Sequence, residues 1–171
     1  MKNFYYLNQK IDSAEIFKEP FPHIYIENFF DESDFQLIIN SSGVKTPVYE
    51  NDREMFENLF SLGYKIIDFP GCINSKEEYI RWHKTKDISH RSNSSCESFG
   101  LTLRLMQPNS SILQDLKNFI ESNDFISTLA KKFDLSINEV NADNGIQKYL
   151  DGYEISPHPD VRKKALTYMI N

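Results

Sequence analysis

The chain has 171 residues, 40% of them hydrophobic and 26% charged, a balance that suits a globular protein with one sizeable core. Its formal net charge of -6 argues against a nucleic-acid partner, since phosphate binding needs a basic surface. Two cysteines, Cys72 and Cys96, fit neither a disulfide framework nor a zinc motif, and no apolar run is long enough to span a membrane. A cytoplasmic location is the simplest expectation: free thiols suit a reducing compartment, and Met1 to Lys10 lacks the apolar run of a signal peptide.

In chain order, Pro20 to Phe30 comes first, and its centre His23-Ile24-Tyr25-Ile26 predicts a short strand. Asp31 then reads as a helix N-cap, with Phe30 and Phe35 at the positions of a hydrophobic staple. That helix continues through Leu37, Ile38 and Ile39 towards a stop near Gly43. A second helix starts at Asn51 or Asp52, carries Met55, Phe56, Leu59 and Phe60 at helical spacing, and ends at a Gly63 cap. Ser75-x-x-Glu78 resembles a capping box that opens a third helix through Tyr79, Ile80, Trp82 and His83.

Lys86 to Glu97 is rich in Ser and Asn and reads as a loop. From Phe99 to Met106, Leu101, Leu103 and Leu105 alternate with Thr102 and Arg104, which predicts a strand with one buried face. Pro108-Asn109-Ser110-Ser111 opens a helix with Ile112, Leu113, Leu116, Phe119 and Ile120 on one side, and Phe125 to Phe133 makes the next. Asp143-Asn144-Gly145 is a turn, Ile146 to Leu150 a strand, Asp151-Gly152 a turn, Tyr153 to Ser156 an extended piece, and Leu166 to Ile170 a final strand. The basic trio Arg162, Lys163 and Lys164 reads as a solvated turn. Helices first and strands later predict an α+β fold, taken as a single domain over residues 1–171.

The chemistry concentrates between Tyr149 and Asp160. Successive side chains on extended backbone point to opposite faces, so His158 and Asp160 point the same way, with Cα atoms roughly 6–7 Å apart. Pro157 and Pro159 stiffen the backbone around the histidine and confine the segment to a strand end or edge. One imidazole nitrogen and one carboxylate oxygen suit a divalent first-row metal, and a second histidine would complete the facial triad of non-haem iron(II) oxygenases. A His-x-Asp pair alone is more often a surface hydrogen bond than a pair of ligands, so the surrounding residues decide.

The run Tyr149-x-x-Gly152-Tyr153-x-x-x-Pro157-His158-x-Asp160, followed by Leu166-Thr167-Tyr168, resembles the iron-binding region of Fe(II)- and 2-oxoglutarate-dependent oxygenases of the prolyl-hydroxylase-like type. The opening from Phe21 to Phe30 is similar to the start of such domains, and the middle, roughly Gly43 to Asn141, adds little to the likeness. The resemblance implies helices buttressing a double-stranded β-helix, or jelly roll. It implies Fe(II) and 2-oxoglutarate as cofactors, with His158 and Asp160 as metal-binding, catalytic residues. Tyr149 matches a position whose hydroxyl faces the co-substrate; read from the residues alone, it is equally a core aromatic. The reaction implied is a dioxygenase hydroxylation coupled to decarboxylation of 2-oxoglutarate to succinate. A carboxylate at Asp160 points to hydroxylation over halogenation, where a small residue leaves room for halide.

The family's second histidine and its Arg or Lys for the distal carboxylate lie on later strands, and no histidine follows His158 here. His23, His83 and His90 all lie upstream and match the third ligand poorly in order. The expectation is therefore the N-terminal portion of an oxygenase domain, a partial jelly roll lacking its closing strands. The missing ligand and cation would come from beyond Asn171 or from another chain, and this chain would be poorly active or inactive alone. An unpaired strand edge near the C-terminus would favour a homo-oligomer. The substrate, a small molecule or a protein side chain, is not specified by any residue, and the loop from Lys86 to Glu97 would cover the barrel mouth. The contrasting reading is a non-catalytic binding or assembly module; a metal-dependent hydrolase would need more His and Asp ligands than the chain offers.

Overall fold

Leu7 and Ile11 stand one helical turn apart, and both are buried; they fold Tyr6–Ser13 into a helix (α1) in a stretch without a long apolar run. The computed structural model describes residues 2–68, 72–86, 98–155 and 164–170. Its architecture is α+β, with six helices and a small antiparallel sheet among the described residues. No helix of these residues is long and apolar enough to cross a membrane. By their contacts they divide into two compact units.

The first unit comprises the residues up to Lys45, Ser110–Asn144 and the stretch 164–170. It is helical, with α1, Glu32–Ile39 (α2), Ser111–Ile120 (α5) and Asn123–Lys132 (α6). Its core is aromatic: Phe4 packs on Phe119 at 6.0 Å, Phe119 on Phe125 at 5.1 Å, and Phe125 meets Tyr168 edge-on at 5.4 Å. Burial pushes the Tyr168 phenol up to about 12. Asp34 is buried too, and is stabilised by the Lys2 ammonium at 2.5 Å and by the Tyr6 hydroxyl, which donates to it at 3.0 Å. The Tyr6 phenol is itself raised to about 12, chiefly by burial.

Two predicted strands of this unit do not form. Among the described residues the stretch from Pro20 to Phe30 makes one bridge, His23 with Phe17, while Phe21 and Tyr25 stay exposed. Pro20 and Pro22 withhold donors from any ladder, so β propensity there finds no partner strand among the described residues. Leu166 to Ile170 is also irregular, because Tyr168 is recruited onto Phe125 and Met169 faces outward. Asp31 does begin α2, but its carboxylate takes the Lys10 ammonium at 2.9 Å in place of a capping bond, and Phe30 packs on Phe4 and Phe29.

The second unit comprises Thr46–Asn109 with residues 145–155. Here the predicted helices form with their caps: Asn51 accepts from the Glu54 N–H to open Asp52–Ser61 (α3), and Ser75 accepts from Glu78 to open Lys76–Thr85 (α4). Gly63, at φ +95°, ends α3 and turns the chain into a strand that the sequence pattern did not reveal, Tyr64–Ile66 (β1). The predicted strand from Phe99 to Met106 is broken by Gly100, at φ +68°, into Ser98–Phe99 (β2) and Thr102–Leu105 (β3). Gln147–Tyr149 (β4) and Glu154–Ile155 (β5) follow. The sheet order is β1-β3-β4, all antiparallel, and β2 pairs separately with β5.

One sheet face carries Leu103 and Leu105 with Tyr64, each at most 2% exposed, and Phe56, Leu59 and Tyr79 of the same unit are as fully buried. The opposite face is not fully open as the alternation predicted, since Thr102 is buried as well. Replacing Leu103 with Ala removes a fully buried side chain at the centre strand and should cost about 3 kcal/mol. Urea denaturation of Leu103→Ala measures this, and a loss below about 1 kcal/mol would show that the sheet is not the unit's core.

Candidate functional site

His158 and Asp160 lie outside the described residues, as do Pro157, Pro159 and His90. The elements that lead up to the pair are described, and all belong to the second unit.

Strand β4 sets Tyr149 opposite Thr102 and Gln147 opposite Arg104. Directly opposed residues share a sheet face. Tyr149, Gln147, Thr102 and Arg104 therefore line one polar face, joined from β1 by Lys65 opposite Arg104. Tyr149 is half exposed, so it is no core aromatic; its hydroxyl donates to Gln147 Oε1 at 2.7 Å, and its ring stacks on Tyr153 at 4.2 Å. Thr102 keeps its hydroxyl buried with no hydrogen-bond partner among the described residues. The Arg104 arm runs against Gly145, where an added Cβ would stand 2.8 Å from Arg104 Cδ. On the core face Lys148 lies half-buried with its ammonium over the Tyr64 ring at 5.7 Å, and desolvation lowers its affinity for the proton.

Beyond β4 the chain turns at Asp151-Gly152, with the Tyr153 N–H donating to the Leu150 carbonyl at 3.0 Å. Gly152 has φ +76°, and a Cβ there would meet Trp82 Cη2 at 2.2 Å, so both conformation and space require glycine. Helix α4 grips this turn at several points. Tyr79 donates from its hydroxyl to the Asp151 carbonyl at 3.0 Å, and His83 Nε2 and Lys86 Nζ reach Asp151 Oδ2 at 2.8 and 2.7 Å. Behind the imidazole, His83 Nδ1 contacts both oxygens of Asp52 at 2.8 and 2.9 Å. Both carboxylates receive a proton at once only from the doubly protonated ring; either neutral tautomer donates to one. The ring is sandwiched along the helix, stacked on Tyr79 at 5.2 Å and close to Trp82 at 6.2 Å. Hydrogen bonds from Lys86 and then His83 hold the Asp151 carboxyl down at about 2. Burial, helped by the charges of Asp52 and Asp151, pushes the Tyr79 phenol well above its ordinary range.

Sequence reasoning singled out His83 as a helix residue beside Trp82 and missed its two carboxylate partners. Its spacing of four from Tyr79 placed it on the buried stripe of α4, and a polar residue there needs a partner; that signal was available. The partners were not, since Asp52 and Asp151 lie 31 and 68 residues away in sequence.

No group of three or more His, Cys, Asp or Glu side chains among the described residues is placed to hold a metal ion. His83 has both nitrogens committed to carboxylates, and His23, in the first unit, sets Nδ1 2.8 Å from the Phe21 carbonyl. With both carboxylates in place, His83 offers neither ring nitrogen to a metal ion.

No protein-family model, curated protein or solved structure matches the chain.

The depressed Asp151 carboxyl sets a pH dependence. A group whose value falls on folding stabilises the native state above its ordinary value, 3.8, and that contribution is lost as pH drops towards about 2. Melting temperature should therefore fall more steeply between pH 4 and pH 2 in the parent than in Asp151→Asn, which carries no such proton. Parallel curves over that interval would mean that the Lys86 and His83 contacts to this exposed carboxylate do not persist in solution.

Proposed function

We propose that the chain carries the metal-binding strand region of an Fe(II)- and 2-oxoglutarate-dependent oxygenase of the prolyl-hydroxylase-like type, with His158 and Asp160 as two iron ligands. The observation that carries this reading is the junction of motif and geometry at Tyr149-x-x-Gly152-Tyr153. The resemblance asks for a strand tyrosine, a glycine turn and a further extended piece leading to His-x-Asp. Tyr149 lies on β4, Gly152 turns at positive φ, and β5 follows. The antiparallel pairings β1-β3-β4 and β2-β5 support a partial double-stranded β-helix behind the motif.

One imidazole nitrogen and one carboxylate oxygen are suitable donors for Fe(II). Bound iron and 2-oxoglutarate would supply the oxidising chemistry, hydroxylation of a small molecule or protein side chain. The chain's own share begins with Tyr149, whose ring lies on the polar sheet face and is open to a co-substrate. It continues with the turn at Gly152, which fixes where the ligand-bearing segment departs. The reading leaves a third ligand to residues outside those described or to a second chain, and with it goes a homo-oligomer. Among the described residues near the C-terminal end Met169 is the most exposed apolar side chain, and a natural surface for that contact.

Manganese(II), a redox-silent substitute for Fe(II), tests the assignment by calorimetric titration. Binding should be measurable, should tighten in the presence of 2-oxoglutarate, and should weaken at least about 10-fold in His158→Ala and Asp160→Ala, each of which deletes a direct ligand. Absence of Mn(II) binding, or binding indifferent to both substitutions, overturns the reading.

A further inference from the structure

We propose that His83 is a positioning residue: it latches the Asp151-Gly152 turn onto α4 and so fixes the strand end from which His158-x-Asp160 departs. The consequence for the metal rests on the functional reading above; the latch itself rests on geometry alone.

Three observations converge on it. First, the imidazole is a bridge with two unequal abutments. Asp52, on α3, has a side chain only 17% exposed, whereas Asp151 is 71% exposed. The inner carboxylate orients the ring, and the oriented ring then holds the outer one, the logic by which a second group fixes a histidine's tautomer and plane. Second, the turn is held at both backbone and side chain. Tyr79 takes the Asp151 carbonyl, His83 and Lys86 share its carboxylate, and Gly152 lies flat against Trp82. Lys86 also sets its ammonium over the Trp82 ring at 4.8 Å. Third, the far side of the same strand is closed by backbone: β5 pairs with β2, and Gly100 lies so near Tyr153 that a Cβ would stand 2.6 Å from Tyr153 Cα. The stretch from Asp151 to Ile155 is thus gripped from two sides immediately before the motif, and His158 follows Gly152 by only six residues in sequence.

The alternative roles for His83 fit less well. As a metal ligand it would have to surrender a carboxylate on either side. As a general base it lacks a nucleophile among the described residues, since each nitrogen there meets a carboxylate and not a Ser, Thr or Cys. A latch uses every contact the ring makes.

Amide hydrogen exchange on the full metal-free chain, with Mn(II) titration of the same samples, tests the proposal. In His83→Ala, the amides of Tyr153, Glu154 and Ile155 should exchange about 10-fold faster, while Leu105, which donates to the Ile146 carbonyl in the neighbouring sheet, keeps its rate. His83→Gln, which can still donate to Asp151, should recover most of the protection. Asp151→Asn, altered at an exposed carboxylate, gives the same local readout if His83→Ala does not fold. Mn(II) affinity should fall about 10-fold in His83→Ala, the size expected of a group supporting a ligand. Unchanged exchange at Tyr153 to Ile155, or equal acceleration at Leu105, overturns the latch. Faster local exchange with unchanged Mn(II) affinity overturns the positioning role. If the parent binds no Mn(II) at all, the oxygenase reading falls, while the exchange arm still decides the latch.

Discussion

A helix of ten residues holds a turn that follows it by more than sixty in sequence, and it does so largely through one imidazole between two carboxylates. Ordering the chain between Thr85 and Asp151 costs loop entropy, which grows only slowly with length. Contacts at the far end must offset that cost. The Asp52 contact, partly sheltered from water, is the stronger partner of the bridge; the Asp151 contact is screened by solvent and would contribute little if it stood alone. It does not stand alone, because Tyr79 and Trp82 of the same helix, and Lys86 at its C-terminal cap, meet the same two residues. Their effects couple, since each holds the turn where the others need it.

The first unit uses the same principle with different groups. Asp34 is buried, and Lys2 and Tyr6 supply the charge and the proton that such burial demands. Lys10 extends the arrangement by reaching the carbonyls of Asn28 and Phe29 as well as Asp31. The segment from Asn28 to Asp31 is thus tied to α1 by polar contacts.

What could be read from the sequence follows from the range of the interactions involved. Helices α3 to α6 were legible because their signals are local: apolar stripes in all four, and caps in three, Asn51 with Glu54, Ser75 with Glu78 and Ser122 with Phe125, each within three residues. Helix α1 escaped notice because Leu7 and Ile11 are too few to make a pattern against the polar residues between them. Strands fared worse. Ile24 and Tyr25 have β propensity but no partner strand among the described residues, Tyr64–Ile66 has a partner but too short a pattern, and Gly100 split one alternating run into strands of two different sheets. The candidate site divides the same way. Its motif, glycine turn and strand tyrosine were visible in the sequence. The Asp52–His83–Asp151 bridge was hidden because pairing between distant residues leaves no local trace.

The contact between Gly100 and Tyr153 joins main chain to main chain. Side chains can rotate to absorb a displacement, whereas two backbones in van der Waals contact pass it on undiminished. Strands β2 and β5 are hydrogen-bonded across the same place, so they behave as one rigid coupling. Ser98 opens β2 directly after the Ser- and Asn-rich stretch, and Ile155 closes β5 directly before the segment with His158 and Asp160. A displacement at Gly100 is therefore a displacement at Tyr153, and the short strands β2 and β5 move as a pair.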